Sequence, residues 1–136
     1  NVSPMNNGQY AGELLQGTLE MMVLKTLSLE PMHGWGIAQR IQQMSKDVFL
    51  VTQGSLYPAL IRMKRRGWLT TSWRVTENSR RARYYELTPA GRRQLGLEEA
   101  SWLRASAAVN WVRSLSSSSA RPSSNGANEG PIGTTR

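Results

Sequence analysis

Apolar residues recur along this chain first with the period of a helix, then with that of a strand, then with that of a helix again. Within LLQGTLEMMVLKTLSL, residues 14–29, Leu15, Leu19, Met22, Val23 and Leu27 fall on one helical stripe. Met21 and Leu24 widen it, so this first helix is expected to be buried on more than one side. Pro31 stops it, and PMHGWG reads as a turn with two glycines flanking Trp35. A second helix over 35–45 has Ile37, Ala38, Ile41 and Met44 as its apolar stripe. Its Gln39, Arg40, Gln42 and Gln43 face away. Val48–Val51 is β-prone, either a short strand or an extended link.

Leu56, Ala59, Leu60 and Met63 give a third helix its apolar face, with Thr52 placed to cap it and Gly67 to end it. Pro58 lies inside and would press on the Gly54 carbonyl. A start near Thr52 is retained because Leu56 keeps the stripe with Leu60 and Met63. The period then drops to two. Leu69, Thr71 and Trp73 alternate with Thr70, Ser72 and Arg74, the pattern of a half-buried strand. Residues 83–87, RYYEL, favour a returning strand, and VTENSRRA between them is rich in turn formers and arginine. Thr88 and Pro89 open a last helix that runs to about Val112. Leu95, Trp102 and Val109 recur there every seven residues, joined by Ala105 and Val112.

These elements predict a mainly α fold with a small β-hairpin (α+β): a winged helix-turn-helix followed by a C-terminal helix. The expected organisation is a flexible arm over 1–12, the winged domain over 13–88, a dimerisation helix over 89–113 and a disordered Ser-rich tail over 114–136. The stripe of the last helix outlasts what so small a domain can cover. It either folds back on the first helix or forms the seam of a homodimer, and the seam is the preferred reading. Leu15, Leu19, Met22, Leu95, Trp102, Ala105, Val109 and Val112 are its candidate residues.

Charge sharpens this reading. The 136 residues carry a formal net charge of +8, which favours a polyanionic partner: nucleic acid first, an anionic membrane surface second. No run approaches the roughly 18 apolar residues of a membrane span, and no secretory signal pattern is visible. With no cysteine, disulfides and thiolate metal sites are excluded. A cytoplasmic protein fits. Catalysis has little to work with. His33 is the only histidine, Asp47 is the only aspartate, and no nucleophile elbow, P-loop or dinucleotide fingerprint occurs. No enzyme activity, metal or cofactor is expected. The cations Arg62, Lys64, Arg65, Arg66, Arg74, Arg80, Arg81 and Arg83 all fall in 53–87, opposed by Glu77 and Glu86. A solvated basic face is the plain alternative, but the placement on one helix and one hairpin tip suits double-stranded DNA.

The order LLQGTLEMMVLKTL, MHGWGIAQRI, GSLYPALIRMKRRGWL, RRARYYELTPAGRRQL resembles the PadR family of bacterial transcriptional regulators over roughly 14–113. It is similar to the short form with a single C-terminal helix. Trp35 stands where the family usually has tyrosine, a mild change at a packing position. The resemblance implies a homodimeric, repressor-like protein on a palindromic operator. Its third-helix role matches Gln53, Ser55, Tyr57, Arg62 and Arg65, and its wing role matches Arg80, Arg81 and Arg83. Some relatives respond to phenolic acids or flat hydrophobic drugs. By likeness, Trp102 with Leu15 or Met22 is a candidate site for a small aromatic effector.

The resulting expectation is a sequence-specific DNA-binding regulator. Gln53 and Arg62 have side chains able to reach base edges, and Ser55 and Tyr57 can serve bases or phosphates. Lys64, Arg65 and Arg66 are placed to hold phosphate, and Arg80 and Arg81 to enter a minor groove. The competing expectation is a winged-helix protein-interaction module with only non-specific nucleic-acid binding.

Overall fold

The computed structural model describes residues 17–117. The N-terminal arm with Leu15, and the Ser-rich tail from residue 118, lie outside the described residues. The helix α1 covers 17–29. It is followed by strand β1 (Met32–His33), α2 (Gly34–Met44), α3 (Gln53–Arg65), β2 (Leu69–Val75), β3 (Arg81–Leu87) and α4 (Pro89–Arg113). This is an α+β winged helix-turn-helix. The sheet has three antiparallel strands in the order β1-β3-β2. Met32 pairs with Tyr85 and His33 with Tyr84, while the hairpin runs in register from Leu69 opposite Leu87 to Val75 opposite Arg81.

The core gathers one face from each helix. Val23, Leu24 and Leu27 of α1, Ile37 and Ile41 of α2, and Leu56, Ala59, Leu60 and Met63 of α3 are all buried, closed at the sheet by Met32, Leu69 and Leu87. Leu19, Met22 and Leu95 pack half-buried against it.

The ends of the helices are satisfied by side chains. Gly36 N–H donates to His33 Nδ1 (3.0 Å) at the start of α2, and Ser55 N–H to Thr52 Oγ1 (3.2 Å) at the start of α3. The histidine is thus a helix cap. α3 runs unbroken through Pro58. It ends on Gly67 at φ +83°, with Trp68 N–H on the Met63 carbonyl (3.0 Å) and Gly67 N–H on the Lys64 carbonyl (2.9 Å). That is the paired bonding of a Schellman turn. Thr88 caps α4: its hydroxyl accepts from Gly91 N–H (3.0 Å) and donates to the Gly67 carbonyl (2.6 Å). One residue therefore joins the end of α3 to the start of α4.

Some sequence expectations need correction. The pair Met32–His33 forms a third strand inside what reads as a turn, because Tyr84 and Tyr85 offer it a free edge. Of the two alternatives for residues 48–51, the link rather than the strand is present. Met44, at the end of α2, is exposed. Trp35 is exposed as well and stacks on His33 (centroids 6.3 Å apart) instead of packing inside. Trp73 keeps the hairpin face of Leu69 but is exposed, because β2 projects past the last residue that the helices can cover.

The chain divides into two compact units at Ala100 and Ser101. Within the second, the helix continues to Arg113 with Trp102, Leu103, Val109, Trp111 and Val112 exposed.

Two glycines of α4 make opposite predictions. A Cβ at Gly91 would strike the Trp68 carbonyl and crowd the Leu87 side chain, whereas at Gly96 it would meet nothing within 4 Å. Thermal unfolding followed by circular dichroism should show Gly91→Ala destabilised by about 1–3 kcal/mol. Gly96→Ala should be stabilised by about 0.5–1 kcal/mol, as a glycine in a helix interior normally is.

Candidate nucleic-acid interface

The helix period decides what α3 can present. With Leu56, Ala59, Leu60 and Met63 turned inward, the opposite ridge consists of Gly54, Pro58, Ile61 and Arg65, all exposed. Gln53, Tyr57 and Lys64 lie on one flank of that ridge. Ser55, Arg62 and Arg66 lie on the other.

The flank carrying Tyr57 and Lys64 looks toward the hairpin. Leu60, Ile61, Lys64 and Arg65 of α3 share a groove with Arg83 and Tyr85 of β3. Alternation along the strand puts Arg81 and Arg83 on the same hairpin face as Tyr85 and Leu87. Trp73, directly opposite Arg83, lies under both guanidiniums, with Arg81 at 4.9 Å and Arg83 at 5.2 Å from the ring centroid. On the other hairpin face Arg74 covers Tyr84 (5.2 Å) and pairs with Glu86 (3.5 Å). The tip is closed by Thr76, whose N–H donates to the Arg80 carbonyl (2.7 Å), with Ser79 at φ +63°. Arg80 is exposed there.

Tyr57 lines a second hollow between the start of α2 and β3. Its phenol fills the space that a Cβ on Gly34 would need, and Tyr85, Trp35 and Arg83 line the same hollow. Burial raises the Tyr85 pKa above the ordinary tyrosine value, Tyr57 pushes it the same way, and the Arg83 guanidinium pulls it back. The phenol is protonated at neutral pH.

The other flank is occupied. Glu20 of α1 is 5% exposed, and both of its oxygens are taken: Arg62 Nε donates to Oε2 (3.2 Å) and Arg66 Nη1 to Oε1 (3.3 Å). The structure therefore places Arg62 and Arg66 on Glu20, off the outward ridge. Ser55 is likewise engaged, 3.2 Å from the capping Thr52 hydroxyl. Sequence reading passed over Glu20 and Ile61. Glu20 carried a signal, because it is in register with Val23, Leu24 and Leu27 on the apolar face of α1, where an unpaired carboxylate is untenable. Ile61 carried none beyond being an apolar residue off the stripe.

Among the described residues, no cluster of three or more His, Asp or Glu side chains could hold a metal. No helix among them is long and apolar enough to cross a membrane.

A helix-turn-helix whose second helix stands beside a basic hairpin defines a winged-helix transcription regulator. The chain belongs to the transcriptional regulator PadR-like family, whose model matches residues 23–97. It is 32% identical over 83 residues to Transcriptional regulator Rv3488 of Mycobacterium tuberculosis, a match covering 61% of this chain and 74% of that one. It is also similar to a solved PadR-like transcriptional regulator from Bacillus cereus (26% identity, TM-score 0.66, 76% of this chain and 99% of that one). A PadR family regulator from Eggerthella lenta matches at 26% identity and TM-score 0.66, covering 85% of this chain and 98% of that one. The family is one of transcriptional regulators, not of enzymes.

The two flanks of α3 predict different phenotypes. Arg62→Ala removes half of the pairing of a buried carboxylate and should lower folding stability by about 1–2 kcal/mol. Arg65→Ala, on the exposed ridge, should stay within about 0.5 kcal/mol of the parent. Urea titration of both variants distinguishes them. Equal stability would mean that the Arg62 arm of the Glu20 pairing contributes nothing.

Proposed function

We propose that this regulator binds a palindromic operator as a homodimer, with α3 in the major groove and the wing along the adjacent minor groove or backbone. It acts by occupancy, as a repressor in the cytoplasm. The observation that carries this reading is the shared groove between α3 and β3, where Lys64, Arg65 and Arg83 converge beside the arginine-covered Trp73. Cations on two elements around one concavity suit the rim of a DNA groove better than a flat protein partner.

Within this arrangement Gln53 and Tyr57 reach base edges or nearby phosphates, Lys64 and Arg65 hold the backbone, and Arg80, Arg81 and Arg83 follow the minor groove. Arg62 and Arg66 serve the interface indirectly, by fixing α3 on α1. Selection of duplexes from a random pool at near-physiological salt should return a palindrome with half-sites about 10 base pairs apart, or a multiple. Transcription in vitro across that site should fall when the protein is added. Salt-sensitive binding with no consensus would favour the interaction-module reading. Arg65→Ala, which removes one backbone contact, should weaken selected and scrambled duplexes about equally and lower the salt slope by about 1. The double variant Arg80→Ala, Arg81→Ala should weaken selected and scrambled duplexes alike and flatten the salt dependence.

The second subunit is assigned to α4. Trp102, Val109 and Val112 are exposed, and so is Ala105. An apolar series of this kind on one helix calls for a partner. In the first unit Leu95, Leu19 and Met22 pack half-buried against the core and are the further candidates for the seam. Sedimentation of Trp102→Glu should shift toward monomer. An unchanged dimer would move the seam away from α4.

A further inference from the structure

We propose that Ile61 is a specificity residue that contacts the 5-methyl group of thymine in the major groove, an assignment that rests on the DNA-binding reading above. Leu56, Leu60 and Met63 of α3 are fully buried, yet Ile61 is 55% exposed. Its place is in the middle of the ridge Gly54, Pro58, Ile61, Arg65. The first two of these bring no hydrogen-bonding side chain to a base edge. The arginine that could have done so from the next position, Arg62, is held by Glu20. The centre of the ridge therefore meets the groove floor with carbon.

The surroundings identify the partner. Ile61 shares its groove with Lys64, Arg65 and Arg83. A branched aliphatic group ringed by three cations fits a surface that is anionic at its rim and apolar at its floor. In the major groove of a duplex the rim is phosphate, and the methyl group exposed on a base edge belongs to thymine. An apolar protein partner would match the isoleucine and leave the cations unpaired.

The test replaces thymine by uracil, one position at a time, in the duplex selected from the random pool. Uracil keeps every hydrogen bond of thymine and lacks only the methyl group. The full chain should bind about fourfold more weakly when the contacted thymine in a half-site is replaced, the effect of uncovering one methyl-sized apolar group. Ile61→Ala should bind thymine and uracil versions equally, and should melt at the parent temperature because the side chain is exposed. If the parent binds all the uracil duplexes as well as the thymine duplex while still preferring it to a scrambled one, the assignment is overturned and the DNA-binding reading stands. A uracil effect that persists unchanged in Ile61→Ala also overturns it. Loss of any preference for the selected duplex would overturn both.

Discussion

A carboxylate removed from water has to be paired, and Glu20 finds its partners in Arg62 and Arg66. It projects from the buried side of α1, and the two guanidiniums that meet it are four residues apart, Arg62 on α3 and Arg66 at its C-cap. Residues at that spacing stand one above the other on a helix, so the fork grips α3 along a line. The fully buried Leu56, Ala59, Leu60 and Met63 set which face of α3 turns inward, and the pairing with Glu20 adds a polar tie on one flank. That rotation decides which residues point away from the domain, and hence which chemistry α3 can offer a partner.

The wing follows from a different constraint. The helices can cover only the base of the hairpin, where Leu69 and Leu87 are buried. Beyond that point the strands need another source of cohesion, and cross-strand aromatic and cationic pairs supply it. Trp73 and Tyr84 are each covered by arginine, one on either face. The hairpin is anchored at its root by the short strand β1, which also leads into α2 through the His33 cap. α3 and the hairpin therefore share supports: Tyr57 of α3 rests against the start of α2, and β3 pairs with the residues just before it.

Much of the fold was legible. Periodicity located all four helices and both long strands, and the caps at Thr52 and Thr88 and the terminating Gly67 followed from local chemistry. β1 was not legible because two residues carry no period; only the presence of Tyr84 and Tyr85 nearby makes them a strand. Burial was overread at element ends. Trp35, Met44 and Trp73 satisfy the pattern or the residue type of a core position and yet lie outside, since pattern cannot say where a neighbouring element stops. In the candidate site, the sequence located the basic residues but not their pairing. Arg62 and Arg65 look alike in a string of letters, and a carboxylate more than forty positions earlier separates their roles.

Consider finally the arginines on Trp73. A long cationic side chain free in water loses up to about 2 kcal/mol of rotamer freedom when it is immobilised against a phosphate. Arg81 and Arg83 have surrendered part of that freedom in advance by lying against the indole. Their attraction to a duplex is therefore offset less by ordering. The indole costs the interface no hydrogen bond, since it is the faces of the ring that hold the guanidiniums. In the proposed complex with DNA, a tryptophan outside the hydrophobic core thus reduces the ordering cost that the wing's arginines bring to binding.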